Sequence, residues 1–179
     1  MADTAARTPT PLTERTYQAM ARAVAALRIF IGIDWLSNGL AKVFNVASVD
    51  WGFFSFGLIN RDAARGIAAD AAARTAIRPL GAFYQDVVLA NWDVFGVLLT
   101  AGEVAIGLGL VFGVATRLAA VGGLLLIGPI WIMLWDTNLP LWDYPLDLVP
   151  LAVFAIVPAG RVFGLDRTLA ARFRDRWPF

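Results

Sequence analysis

Four stretches of this sequence, at about 22–44, 94–113, 117–136 and 146–163, are apolar over nearly the whole of their length. Each is close to the ~20 residues that a helix needs to cross ~30 Å of hydrocarbon. They predict four transmembrane helices and so an all-α fold: a polytopic membrane four-helix bundle. Composition agrees, since 59% of the 179 residues are hydrophobic and only 16% are charged, against about 25% in an ordinary soluble domain. The polar segment 1–21 has no apolar core close behind the start, as a cleavable signal peptide would need. The first apolar segment is therefore expected to stay in the membrane.

The connections between spans differ in kind. Only Val114 to Thr116 separate the second and third, which predicts a tight helical hairpin. The third and fourth are joined by DTNLPLWDYP, where Pro140 and Pro145 stop helix continuation. The first connection, 45–93, holds the aromatic run WGFFSFGLI, an alanine-rich stretch suited to a short exposed helix, and a segment opened by Pro79 in which Phe83, Val87 and Val88 reach the interface. It is predicted to form a small extracytoplasmic helical cap.

Lys and Arg near the span ends set the orientation. Arg7, Arg15, Arg22, Arg117, Arg161 and the basic segment 164–179 fall on one side, whereas Lys42, Arg61, Arg65, Arg74 and Arg78 on the other are balanced by aspartates. The loop with Asp136, Asp143 and Asp147 has no basic residue. Both termini are thus expected in the cytoplasm of a multi-pass cell-membrane protein. Trp51, Trp92, Trp135 and Trp142 then fall at the outer interface, where indole rings prefer to sit.

A net charge of +1 offers no surface for nucleic acid, which needs clustered positive charge. The chain has no Cys and no His, which removes disulfides, iron–sulfur ligands, thiol nucleophiles and imidazole ligands for haem or zinc. No metal site is expected, and Asp136, Asp143 and Asp147 are a solvated rim.

Charges inside the spans single out the candidate site. Such groups cost ~2.5–3.5 kcal/mol each at the bilayer centre and normally face the bundle interior with a partner. Asp34 and Glu103 are placed near mid-span at similar depth, with Arg28 about 9 Å toward the cytoplasm from Asp34 at ~1.5 Å per residue. Asp34, Asn38, Ala41 and Asn45 form one helical stripe, bordered by Lys42. On the second span Ala101, Ala105, Gly109 and Gly113 repeat at every fourth position, a small-residue stripe that lets a neighbouring backbone come close. Glu103 points roughly the other way, flanked by Gly96, Thr100 and Gly107. Two readings of Glu103 stand side by side: a packing device, protonated or paired with Arg28 or Lys42, and a proton-handling or quinol-binding carboxyl. Asp34 has the same two readings, with Arg28 as its ion-pair partner. Arg117 is a positive-inside anchor of the hairpin.

Three segments resemble the DoxX/DoxD family of four-helix membrane proteins. These are LRIFIGIDWLSNGLAK (Leu27 to Lys42), with Arg28, Gly32, Gly39 and Lys42 in the family's spacing; GEVAIGLGLVFGVATRLAAVGG (Gly102 to Gly123), with its Gly-Glu and Thr-Arg hairpin turn; and GRVFGLDRTL (Gly160 to Leu169). FYQDVVLANWDVFG before Gly102 looks more like the DoxD branch, and Asp34 has no counterpart in the family pattern. The family includes the membrane subunit of thiosulfate:quinone oxidoreductase, so the resemblance implies quinone-linked electron transfer with partner chains in a membrane complex or homo-oligomer.

The function expected is an integral membrane subunit of a quinone-linked respiratory or sulfur-compound oxidoreductase, with no redox metal of its own. Quinone would sit near Arg28, Asp34, Asn38, Thr100 and Glu103, or near Lys42 at the outer rim. A non-catalytic anchor or accessory subunit of a larger complex is the alternative.

Overall fold

The computed structural model describes residues 11–138 and 145–179. Arg7 and the rest of segment 1–10, together with Pro140, Trp142 and Asp143, lie outside the described residues. Helix α1, Pro11–Phe44, runs 34 residues, beginning well before the predicted span. After it come a two-stranded antiparallel hairpin, β1 (Ser48–Asp50) and β2 (Ser55–Gly57), then α2 (Arg61–Arg74) and α3 (Arg78–Phe83). A π-helical segment, Tyr84–Leu89, leads to α4 (Trp92–Phe112) and α5 (Thr116–Leu134). The chain closes with α6 (Pro145–Ile156), a 3₁₀ turn (Ala159–Arg161) and α7 (Asp166–Arg172).

The protein is mostly helical, but the all-α expectation misses the hairpin. WGFFSFG has aromatic residues suited to a pleated strand and a glycine, Gly52, at φ +80 in the turn. The predicted fourth span also ends early. Helix α6 stops at Ile156, because Pro158 has no N–H to continue the ladder and the chain turns at Ala159 instead.

Helices α4 and α5 are each long and apolar enough to cross a membrane. Within the fold only 28% of the most apolar stretch of α4 and 22% of that of α5 is buried. A core helix of a water-soluble domain buries its apolar side chains, whereas these two present Val94, Val97, Leu98, Leu118 and Leu125 outward.

One apolar core joins α1, α4, α5 and α6: Ile31 and Trp35 meet Ile106 and Leu110, Ala120, and Leu151 and Phe154. A second, smaller cluster seats the cap on α5, where Ala71 and Ala72 pack on Met133 and Leu134. Four of the alanines of α2, Ala64, Ala68, Ala71 and Ala72, are therefore its buried inner face, whereas Ala63, Ala69 and Ala73 are exposed.

The α1–α4 contact decides where the polar residues fall. A Cβ on Gly32 would lie 2.7 Å from Val111 N, one on Gly107 2.6 Å from Leu36 N, and one on Gly39 3.0 Å from Val104 N. Glycine lets the backbones meet at all three points, in an antiparallel register that sets Glu103 level with Leu40. Glu103 and Asp34 do not share a depth. They are separated by about six residues of helix, ~9 Å at ~1.5 Å per residue.

The expected small-residue stripe is only partly used. Ala101 and Ala105 are exposed; Gly109 packs on the Ala119 side chain across the hairpin; Gly113 ends α4 at φ +62. The closest helix approach is on the Glu103 side, through Gly107, because α1 supplies its own glycines there.

Candidate functional site

Asn38 and Lys42, one turn apart near the end of α1, reach in two directions. Lys42 Nζ lies 2.7 Å from Glu103 Oε2 on α4. It also donates to Ile59 O at 2.9 Å and Asn38 O at 3.4 Å, so three oxygens surround the ammonium. Asn38 Oδ1 accepts from Ile59 N at 2.9 Å. Ile59 is thus held through both its N–H and its C=O, which ties the chain entering α2 to α1.

The Lys42–Glu103 pair is withdrawn from solvent, with side-chain exposures of 1% and 13%. It forms one end of a cavity of about 610 Å³, within the ~300–1,000 Å³ typical of small-molecule sites. From α4 come Trp92, Phe95 and Leu99; from α5, Leu126 and Ile130; from the cap, Ala68, Phe83, Tyr84 and Val88. Asp147 on the first turn of α6 completes the polar lining. Lys42 engages Oε2 of Glu103, leaving the second carboxylate oxygen uncommitted to the pair.

Tyr84 and Val88 come from the π-helical segment, whose wider turn sets residues four apart on nearly the same face. Burial pushes the Tyr84 phenol above its ordinary value, so it remains a neutral hydroxyl.

The other predicted site residues are distributed elsewhere. Arg28, fully buried, donates from Nη1 to Ala159 O at 3.1 Å and from Nη2 to Phe163 O at 2.9 Å. It lies fourteen residues, about 21 Å of helix, from Lys42. The expected Arg28–Asp34 ion pair is absent among the described residues: the guanidinium faces the carbonyls of the turn after α6, and Asp34 stands on the exposed side of α1. Thr100 does not line the cavity, because its hydroxyl donates back to Gly96 O at 2.7 Å.

Arg117 does not close the α4–α5 turn. Its Nη2 reaches Ile156 O at 3.1 Å, at the end of α6. The turn is closed by Asp166, whose two carboxylate oxygens accept from Ala115 N at 2.7 Å and Thr116 N at 2.9 Å. Asp166 satisfies the free N–H groups at the start of α5, a role nothing in GRVFGLDRTL announces.

Sequence reasoning assigned Trp92 to an interface belt and Asp147 to a solvated rim; both line the cavity. The run Tyr84, Val88, Trp92 at every fourth position was the available signal. Trp131 and Trp135 pack edge to face, centroids 4.8 Å apart, and do not line it. Among the described residues no cluster of His, Cys, Asp and Glu suits a metal ion.

Fold and cavity together define, among the described residues, a mostly helical protein with two apolar helices facing outward and an open, largely apolar pocket with the Lys42–Glu103 pair in its lining. Comparison with known proteins finds no matching family model, no matching curated protein and no matching solved structure.

Proposed function

We propose that the chain is a multi-pass membrane protein, a four-helix bundle of α1, α4, α5 and α6 of the DoxX/DoxD kind, with both termini in the cytoplasm. In this reading it serves as the membrane subunit of a quinone-linked oxidoreductase. One observation carries it: the buried Lys42–Glu103 pair ends an apolar cavity large enough for a lipid-soluble ring compound.

The donor set fits a quinone/quinol couple, since the cavity offers an acceptor in Glu103, a neutral hydroxyl in Tyr84 and apolar walls for a flat ring. A bound quinone supplies two-electron, two-proton chemistry. The chain's own residues hold and orient. Lys42 holds Glu103 in place through Oε2, the second carboxyl oxygen accepts a hydrogen bond from a ring hydroxyl, Tyr84 donates to a ring oxygen, and the apolar walls exclude water. Electrons come from a partner chain or from the substrate, because the sequence holds no ligand set for a redox metal.

Purification in mild detergent, followed by identification of lipid-soluble redox compounds and co-purifying chains, tests this. A quinone should co-purify, and Glu103→Gln should weaken its binding about ten- to hundredfold, the worth of a hydrogen bond to a charged group. A chain that purifies without quinone and binds none on addition would remove the reading.

A second reading, a non-catalytic anchor or accessory subunit, is favoured by Asp34. It is exposed beside exposed Phe30 and Ile33 on α1. A carboxylate on a lipid-facing surface is costly, and a partner helix bringing a hydrogen-bond donor to that face would cover it.

A further inference from the structure

We propose that the β1–β2 hairpin is a lipid-docking element that lies on the outer leaflet with its aromatic face in the headgroup–acyl boundary, an inference that rests on the membrane reading above. The strand register makes the hairpin two-faced. Ser48 pairs with Gly57 and Asp50 with Ser55, while Val49 pairs with Phe56 between them. Cross-strand partners share a side of the sheet and successive pairs alternate. One face therefore carries Ser48, Asp50, Ser55 and Gly57, and the other Val49 and Phe56. The turn adds to the apolar face: Trp51 packs edge-on to Phe56 with centroids 6.2 Å apart, and Phe54 lies 5.5 Å from Phe56. Phe53 projects from the tip at 90% exposure, and Trp51 is 63% exposed.

Three observations name a lipid surface as the occupant. From Val43 to Asn60 the only charged residue is Asp50, and its Oδ1 is turned back to accept from Gly52 N at 2.8 Å. The aromatic cluster continues into exposed Leu40, Val43, Phe44 and Val46 at the outward end of α1. Leu58 N donates to Ala47 O at 2.8 Å and closes the hairpin base, which is pinned to that end of α1 through the N–H and C=O of Ile59, held by Asn38 and Lys42. An aromatic face fixed at the end of a span sits where Trp and Phe are most stable, at the membrane–water boundary.

The absence of native cysteine permits a clean test. Single variants Phe53→Cys, Leu108→Cys on the exposed side of α4 and Ala69→Cys on the exposed side of α2 are labelled with an environment-sensitive fluorophore. Each is reconstituted in phosphatidylcholine vesicles carrying a nitroxide near the headgroup or deep in the acyl chain. The label at residue 53 should emit blue-shifted light and lose intensity chiefly to the shallow nitroxide, with the label at 69 unaffected. Emission at residue 53 like that in water, or blue-shifted emission that no lipid nitroxide quenches because a second protein surface covers it, overturns the proposal while quenching at residue 108 keeps the membrane reading. Loss of lipid quenching at residue 108 overturns both.

Discussion

Lys42 and Glu103 join three parts of the chain at one point: Lys42 Nζ sits 2.7 Å from Glu103 Oε2 and 2.9 Å from Ile59 O, linking α1, α4 and the cap. Removing one partner strands the other charge out of water, which costs on the order of 3 kcal/mol. Glu103→Gln and Lys42→Met should each lower the melting temperature in detergent. The double change Lys42→Met with Glu103→Leu should cost much less than the two single changes together, leaving mainly the lost hydrogen bond to Ile59, about 1 kcal/mol. Additive single and double losses would show that the pair carries no coupling.

The glycines at the α1–α4 contact have no room for a methyl group. Gly107→Ala places a Cβ 2.6 Å from Leu36 N, and backbone cannot step aside as a side chain does. Gly32→Ala and Gly107→Ala should each destabilise by about 1–3 kcal/mol through overpacking. Gly122 lies in helix α5 with Ile106 Cγ1, at 3.7 Å, the nearest atom to an added Cβ, and Gly122→Ala should be neutral or gain up to about 1 kcal/mol from helix propensity. Unfolding midpoints of the three variants provide the measurement.

Asp166 holds the start of α5 through Ala115 N and Thr116 N. Asp166→Ala leaves both donors unsatisfied and costs roughly 1–2 kcal/mol as a lost helix cap, with more expected because Arg28 loses its nearest compensating charge. Proteolysis should find the α4–α5 turn first in this variant. Asp166→Asn, which keeps one acceptor, should fall between the two.

Tyr84 gives a pH dependence with a definite sign. Burial raises its phenol above the ordinary 10.0, so the folded state keeps the proton that the unfolded chain releases. Its contribution to stability is complete below the unfolded value and is lost as pH rises through the folded one. Ultraviolet titration should show a tyrosine ionising above the ordinary range that disappears in Tyr84→Phe. The same variant should lose less stability than the parent as pH rises beyond about 10.

Much of this was readable in advance where composition and spacing act locally. The apolar runs mark α4 and α5 because their composition is the same wherever the chain goes. The tight turn at Gly113 to Ala115 follows from the brevity of the connection. The π-helical segment was hidden, since one added residue per turn leaves the apolar pattern nearly unchanged. Asp166 was hidden because a cap supplied from fifty residues away has no local spacing to betray it.

Sequence alone determined that this chain carries long apolar helices with a few costly charges and neither Cys nor His. It also narrowed the partners of Glu103 to Arg28 or Lys42. Only the tertiary structure chose between them. The choice rests on register: Gly32, Gly39 and Gly107 let α1 and α4 meet at distances no other residue permits, and that contact slides Glu103 past Asp34 to Lys42. Close packing between helices is set by shape at several points at once, and no single helix contains that information.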